Sequence, residues 1–94
     1  MTERIDIGDN HQIKFVEYQG DAHTAANVYH LKPDGSPCEG FIPFDGGEWA
    51  KAFRENPIEV WQVQSFEPLT CSPSILCRVC GDHGFIRDGR WVTV

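Results

Sequence analysis

The last ten residues but one read Phe85-Ile-Arg-Asp-Gly-Arg-Trp-Val-Thr, two apolar-rich stretches around Asp88-Gly89. A two-residue Asp-Gly turn demands positive φ at both central positions, and that geometry matches the twist of paired antiparallel strands. The C-terminus is therefore expected to be a β-hairpin, and the rest of the chain follows the same period. Ile13–Gln19 alternates Ile13, Phe15 and Glu17 against Lys14, Val16 and Tyr18, and Gly20-Asp21 closes it. Ala25–Leu31 reads as the next strand, expected to pair with Ile13–Gln19 as an antiparallel hairpin, and Lys32–Pro37 reads as the turn that follows it. Glu39–Phe44 is a third short strand, in which Pro43 cannot donate to a ladder and so belongs at an edge or a bulge. Ile58–Gln64 again alternates strictly.

Only Gly46–Asn56 changes period. Trp49 and Phe53 are four apart, Ala50 and Ala52 favour helix, and Asn56-Pro57 is a stop signal, so one short helix is expected from about Gly47 to Glu55, its aromatic pair packed in the core. The fold class expected is mainly β (α+β), a single domain over residues 1–94 with a small antiparallel sheet, one short helix and the Asp-Gly hairpin. A domain of 94 residues buries a modest fraction of its surface, so a staple such as a metal would help it.

Charge narrows the function. The formal net charge is −6 and the pI near 5.0, a field that repels phosphate backbones and anionic lipid, so neither nucleic acid nor membrane is expected as partner. The N-terminal ten residues lack a signal-peptide pattern, and a cytoplasmic location is expected. In a reducing compartment four cysteines are thiols or metal ligands rather than disulfides.

Cys77-x2-Cys80 has the spacing of a zinc knuckle, and His83 follows after two more residues between glycines that let the backbone turn. Cys38, flanked by turn residues, is the expected fourth ligand, with Cys71 and His30 in reserve. The expected site is thus Zn²⁺ on Cys38, Cys77, Cys80 and His83, with Arg78 available to offset the excess negative charge. Catalytic readings fit less well. A zinc deaminase needs His-x-Glu, and none of His11, His23, His30 and His83 has glutamate two residues on. A Cys80 nucleophile served by His83 and Asp82 would crowd one short segment, whereas such triads usually come from distant ones. A thioredoxin-like pair needs a following helix, and a turn and hairpin follow here. Ser72-Pro73-Ser74 reads as a turn, with no nucleophile elbow around either serine.

The segment Leu69–Trp91 resembles a family of small phage and bacterial proteins of unknown function. That family's signature is (T/L)-x-x-P-S-(I/L), a cysteine with a nearby histidine, and a (F/W)-(I/V)-(R/K)-(D/N)-G turn. Leu69, Thr70, Pro73, Ser74, Ile75, Cys80, His83 and Phe85 to Gly89 stand where it asks for them. The family's upstream half carries a cysteine cluster that here is reduced to Cys38, with Cys77 taking over one lost position. The resemblance implies a structural zinc site in a phage-type accessory protein acting on a host factor. Eleven aromatic residues, 12% of the chain, are consistent with a protein-binding role, with Trp61 and Trp91 as candidate anchors. A zinc hydrolase with water as fourth ligand and Asp82 or Glu39 as base is the rival expectation.

Overall fold

A computed structural model describes residues 4–53 and 59–94. The chain is mainly β, with two four-stranded antiparallel sheets and a single short helix among the described residues. Sheet 1 is β1 (Ile5–Gly8), β2 (His11–Tyr18), β3 (Asp21–Leu31) and β4 (Pro37–Pro43) in that spatial order. The helix α1 (Glu48–Ala52) leads to sheet 2, made of β5 (Gln62–Phe66), β6 (Leu69–Leu76), β7 (His83–Arg87) and β8 (Arg90–Thr93), again in sequence order. Every strand pairs with its sequence neighbour, because short turns leave no chain for a crossover.

Three of those turns share one geometry. Asp9-Asn10, Gln19-Gly20 and Asp88-Gly89 all hold both central residues at positive φ, between 50° and 82°. The expected C-terminal hairpin is present, with Arg87 opposite Arg90 across its turn. The first hairpin, β1 with β2, was not expected from the sequence, since Asp9-Asn10 is a weaker turn signal than Asp-Gly. Between β3 and β4 the five-residue loop is held by the Lys32 and Gly35 backbone amides, which donate to Ser36 and Lys32 carbonyls at 2.8 Å. It sets Leu31 opposite Pro37 and His30 opposite Cys38.

The sheets face one another across one core. Ile7, Ile13, Val28, Ile42 and Phe44 of sheet 1 and its edge meet Trp61, Leu69, Cys71, Ile75, Ile86 and Trp91. At one margin the Trp61 amide donates to the Pro43 carbonyl and the Asp45 amide to the Trp61 carbonyl, both at 2.9 Å. At the other, Thr93 donates its hydroxyl to Asp9 at 3.0 Å, joining β8 to the β1–β2 turn.

Several expectations change. Trp61 and Trp91 are 5% and 7% exposed and belong to the core, so neither is a surface anchor. The helix has no buried residue: Trp49 packs edge-on against Phe41 and at a tilt against Phe53, with ring centroids 4.9 and 4.6 Å apart, and both phenylalanines are exposed. Thr24 Oγ1 accepts from the Trp49 amide at 2.8 Å and holds the helix start against β3. The expected stop at Asn56-Pro57 and the start of the strand at Ile58 lie outside the described residues. Ser72-Pro73-Ser74 is strand, not turn. It runs within β6, and the ladder to β7 is interrupted between Cys71 and Ile75, where proline has no amide to offer. Pro43 stands on β4, an edge strand, as its missing donor requires. No helix among the described residues is long and apolar enough to cross a membrane.

Candidate metal centre

At one end of the sandwich the inward-facing rows stop being aliphatic. On β2 the row that contains Ile13 reaches His11, on β3 the row that contains Val28 reaches His30, and on β4 Ile42 and Gly40 lead to Cys38. Period-two geometry places all three on the core face, and all three are buried. From sheet 2, β6 carries Ile75 inward and releases the chain into the 77–82 loop. That loop is closed by the Gly81 amide on the Cys77 carbonyl at 2.8 Å and the Cys77 amide on the Asp82 carbonyl at 2.7 Å. Gly81 has φ +81°, a conformation that a side chain would oppose.

The loop meets the sheet at the polar end. His30, Cys38, Cys77 and Cys80 each contribute one donor atom, and the four atoms lie within 4.8 Å of one another. Cys38 Sγ is 3.6 Å from Cys77 Sγ, and His30 Nε2 is 3.2 Å from Cys80 Sγ. A tetrahedron with Zn–S near 2.3 Å has an S···S edge of about 3.8 Å, so these separations suit a shared ion. They are far from the roughly 2.05 Å of a disulfide. Three sulfurs and one imidazole nitrogen are the donor set of a closed zinc site.

Electrostatics agrees with that donor set. Burial, followed by the neighbouring Cys77 and Cys80 thiols, pushes Cys38 up to about 11. Burial also acts against Cys77, but the backbone amides of Cys80 and Val79 and the Cys38 thiol together hold it below the ordinary thiol value. Amides converging on the first sulfur are how a Cys-x2-Cys turn prepares a thiolate. Burial lowers His30, as does His11, against the opposing pull of Asp82, which favours the neutral ring that a metal ligand must be. Without a cation the pocket disfavours the Cys38 thiolate, and a bound cation would offset that cost.

Three of the four expected ligands, Cys38, Cys77 and Cys80, are brought together; the imidazole beside them is His30. His83 instead opens β7, where Gly84 and Ile86 face the core, and its Nε2 lies 2.8 Å from Ser74 Oγ. The same alternation that directs Ile86 inward directs His83 away. Cys71 is buried among the aliphatic residues, and burial pushes it up to about 11. Arg78 is turned to solvent, 83% exposed, with Glu59 at 3.7 Å. The signal for His30 is present in the sequence: a five-residue loop at 32–36 pairs His30 with Cys38 once the hairpin register is drawn. His11 had no such signal, because its neighbours come from elements distant in sequence. Its Nε2 is 2.5 Å from Asp82 Oδ2 and its ring stacks on Trp91 at 4.0 Å. An open cleft of about 930 Å³, bordered by Arg4, Asp6, Tyr29, Lys32 and Glu39, lies over His11, His30 and Cys38.

Comparisons with protein-family models, with curated proteins and with solved structures return no match for this chain.

Proposed function

We propose that this is a structural zinc protein that works by binding another protein, its ion held by His30, Cys38, Cys77 and Cys80. The observation that carries the reading is the origin of the donors: two come from the β3–β4 hairpin of sheet 1 and two from the 77–82 loop of sheet 2. An ion there ties the two sheets at the end where aliphatic packing runs out. Four protein donors complete a tetrahedral coordination and leave no position for water, which disfavours the hydrolase reading.

Protein binding is supported by what surrounds the site. Val79, at the tip of the knuckle, is 72% exposed, and Leu31, Leu76 and Phe41 nearby are exposed as well. Exposed apolar side chains around a metal loop are suited to a protein partner, and the net charge of −6 disfavours nucleic acid. The resemblance to phage accessory proteins points to a host protein as that partner.

X-ray absorption at the zinc edge tests the reading. A first shell of three sulfurs and one nitrogen is expected on protein purified without chelator. An oxygen in the first shell, together with hydrolysis of a generic ester or phosphate and an empty pull-down from host lysate, would establish the enzyme instead.

A further inference from the structure

A metal-bound histidine usually donates its second ring nitrogen to an acceptor, and that hydrogen bond fixes the plane of the ring. His30 has no such anchor. It is 6% exposed, its Nε2 faces Cys80, and its Nδ1 is buried with no hydrogen-bond partner among the described residues. What lies against the ring instead is a second imidazole. His11 stacks on His30 with ring centroids 5.5 Å apart and planes 16° from parallel, and it also stacks on Trp91 at 4.0 Å and 11°. Aromatic rings at such separations hold one another in offset register.

His11 is itself fixed at both nitrogens. Its Nδ1 is 2.6 Å from the Asp9 carbonyl oxygen, which can only accept, and its Nε2 is 2.5 Å from Asp82 Oδ2, where one proton completes a hydrogen-bonded ion pair. The ring is 5% exposed, so little water competes for either contact. Asp82 belongs to the metal loop: its carbonyl accepts from the Cys77 amide at 2.7 Å, and Cys80 is two residues away. One side chain on β2 thus touches a donor residue of sheet 1 and the segment that carries both donors of sheet 2. Neither contact involves an ion, so both operate before metal arrives.

We propose that His11 is a positioning residue of the metal centre: it orients the His30 ring by stacking, in place of the missing Nδ1 contact, and pins the 77–82 loop against sheet 1 through Asp82. The proposal rests on the zinc reading of the four-donor cluster. His11 supplies no donor atom to that cluster, so its removal leaves the four ligands complete and loosens how they are held. The signature is weaker binding by the same ligands.

Co²⁺ and Zn²⁺ binding to the metal-free full chain test this. Wild type should show intense thiolate-to-cobalt absorption. His11→Ala should keep those bands, shift and broaden the weaker ligand-field bands that report the imidazole, and weaken zinc binding by roughly 10- to 100-fold. Thr24→Val, which removes the hydrogen bond that anchors the helix at the far end of β3 from His30, should lower the melting temperature and leave zinc affinity and ligand-field bands unchanged. His11→Phe keeps a ring against His30 and drops both hydrogen bonds. It and Asp82→Ala should each weaken zinc binding, and the double variant should bind no more weakly than the weaker of the two, as members of one strut do. Losses that multiply in the double variant, unchanged zinc affinity in His11→Ala, or an equal loss in Thr24→Val would overturn the positioning role and leave the four-donor reading intact. Should His11→Ala fail to fold, the cycle of His11→Phe with Asp82→Ala decides. Absence of thiolate bands in wild type at every loading would overturn the four-donor reading, and this proposal with it.

Discussion

His83 lies three residues from its nearest cysteine in sequence and His30 eight, yet only the more distant one faces sulfur. Strand parity decides between them, and substitution can read the decision. His30→Gln should weaken zinc binding by more than the roughly 100-fold that loss of an outer-shell partner costs. His83→Gln should leave zinc stoichiometry unchanged and cost about 1 kcal/mol, the loss of one partly buried hydrogen bond to Ser74. Competition with a colorimetric chelator measures the first and urea unfolding the second. Cys71 offers a pH test on zinc-loaded protein. Its folded value of about 11 exceeds the ordinary 9.0, so between those values the unfolded chain has lost a proton that the folded chain keeps. Raising the pH through that window should lower stability by up to about 1.4 kcal/mol per pH unit. Cys71→Ala should flatten that slope and still bind zinc; loss of zinc would make Cys71 a ligand.

Among the elements, β7 and β8 show how little space the second sheet leaves beside the metal loop. A Cβ on Gly84 would come within 2.6 Å of the Trp91 ring and 2.7 Å of the Val92 carbonyl oxygen. The ring is also stacked on His11, which limits how far it can shift. Gly84→Ala should therefore destabilise by about 1–3 kcal/mol, the usual cost of overpacking, and loosen the site through the displaced indole. Thermal unfolding with and without added zinc measures both effects. A cost under a few tenths of a kcal/mol would mean that the β7–β8 hairpin is less tightly packed than described.

For the molecule as a whole, the two sheets share a core, and among the described residues the main-chain hydrogen bonds that join them are the Trp61 contacts with Pro43 and Asp45. A zinc ion at the opposite, polar end of the core would act as the second clasp. With free zinc about 1,000-fold above its dissociation constant the ion contributes roughly 4 kcal/mol. For a chain this small, stripping it should lower the melting temperature by on the order of 20 °C. The emission of Trp61 and Trp91 should shift to the red as the sheets part. A melting curve indifferent to EDTA would remove the ion from the fold. Acid should act in the same direction. His30 has its folded value held below 6.5, so its contribution is present above 6.5 and is lost as the pH falls through the folded value.

What the sequence by itself determined were the features written in short range. Alternation gave strands at Ile13–Gln19 and Ala25–Leu31, Asp88-Gly89 gave the last hairpin, and Cys77-x2-Cys80 with Cys38 gave three of the four clustered donors. Each depends on residues within one turn or one period, or on the chemistry of the thiol itself. Only the tertiary structure decided which imidazole joins them, that Trp61 and Trp91 are buried, and that His11 meets Asp82 across 71 residues. Those outcomes depend on which sheet face each strand turns toward the core and on how two sheets, rather than one, close over it. Local periodicity places a side chain on one of two faces of its strand. The packing of the second sheet against the first is what makes one of those faces the inside.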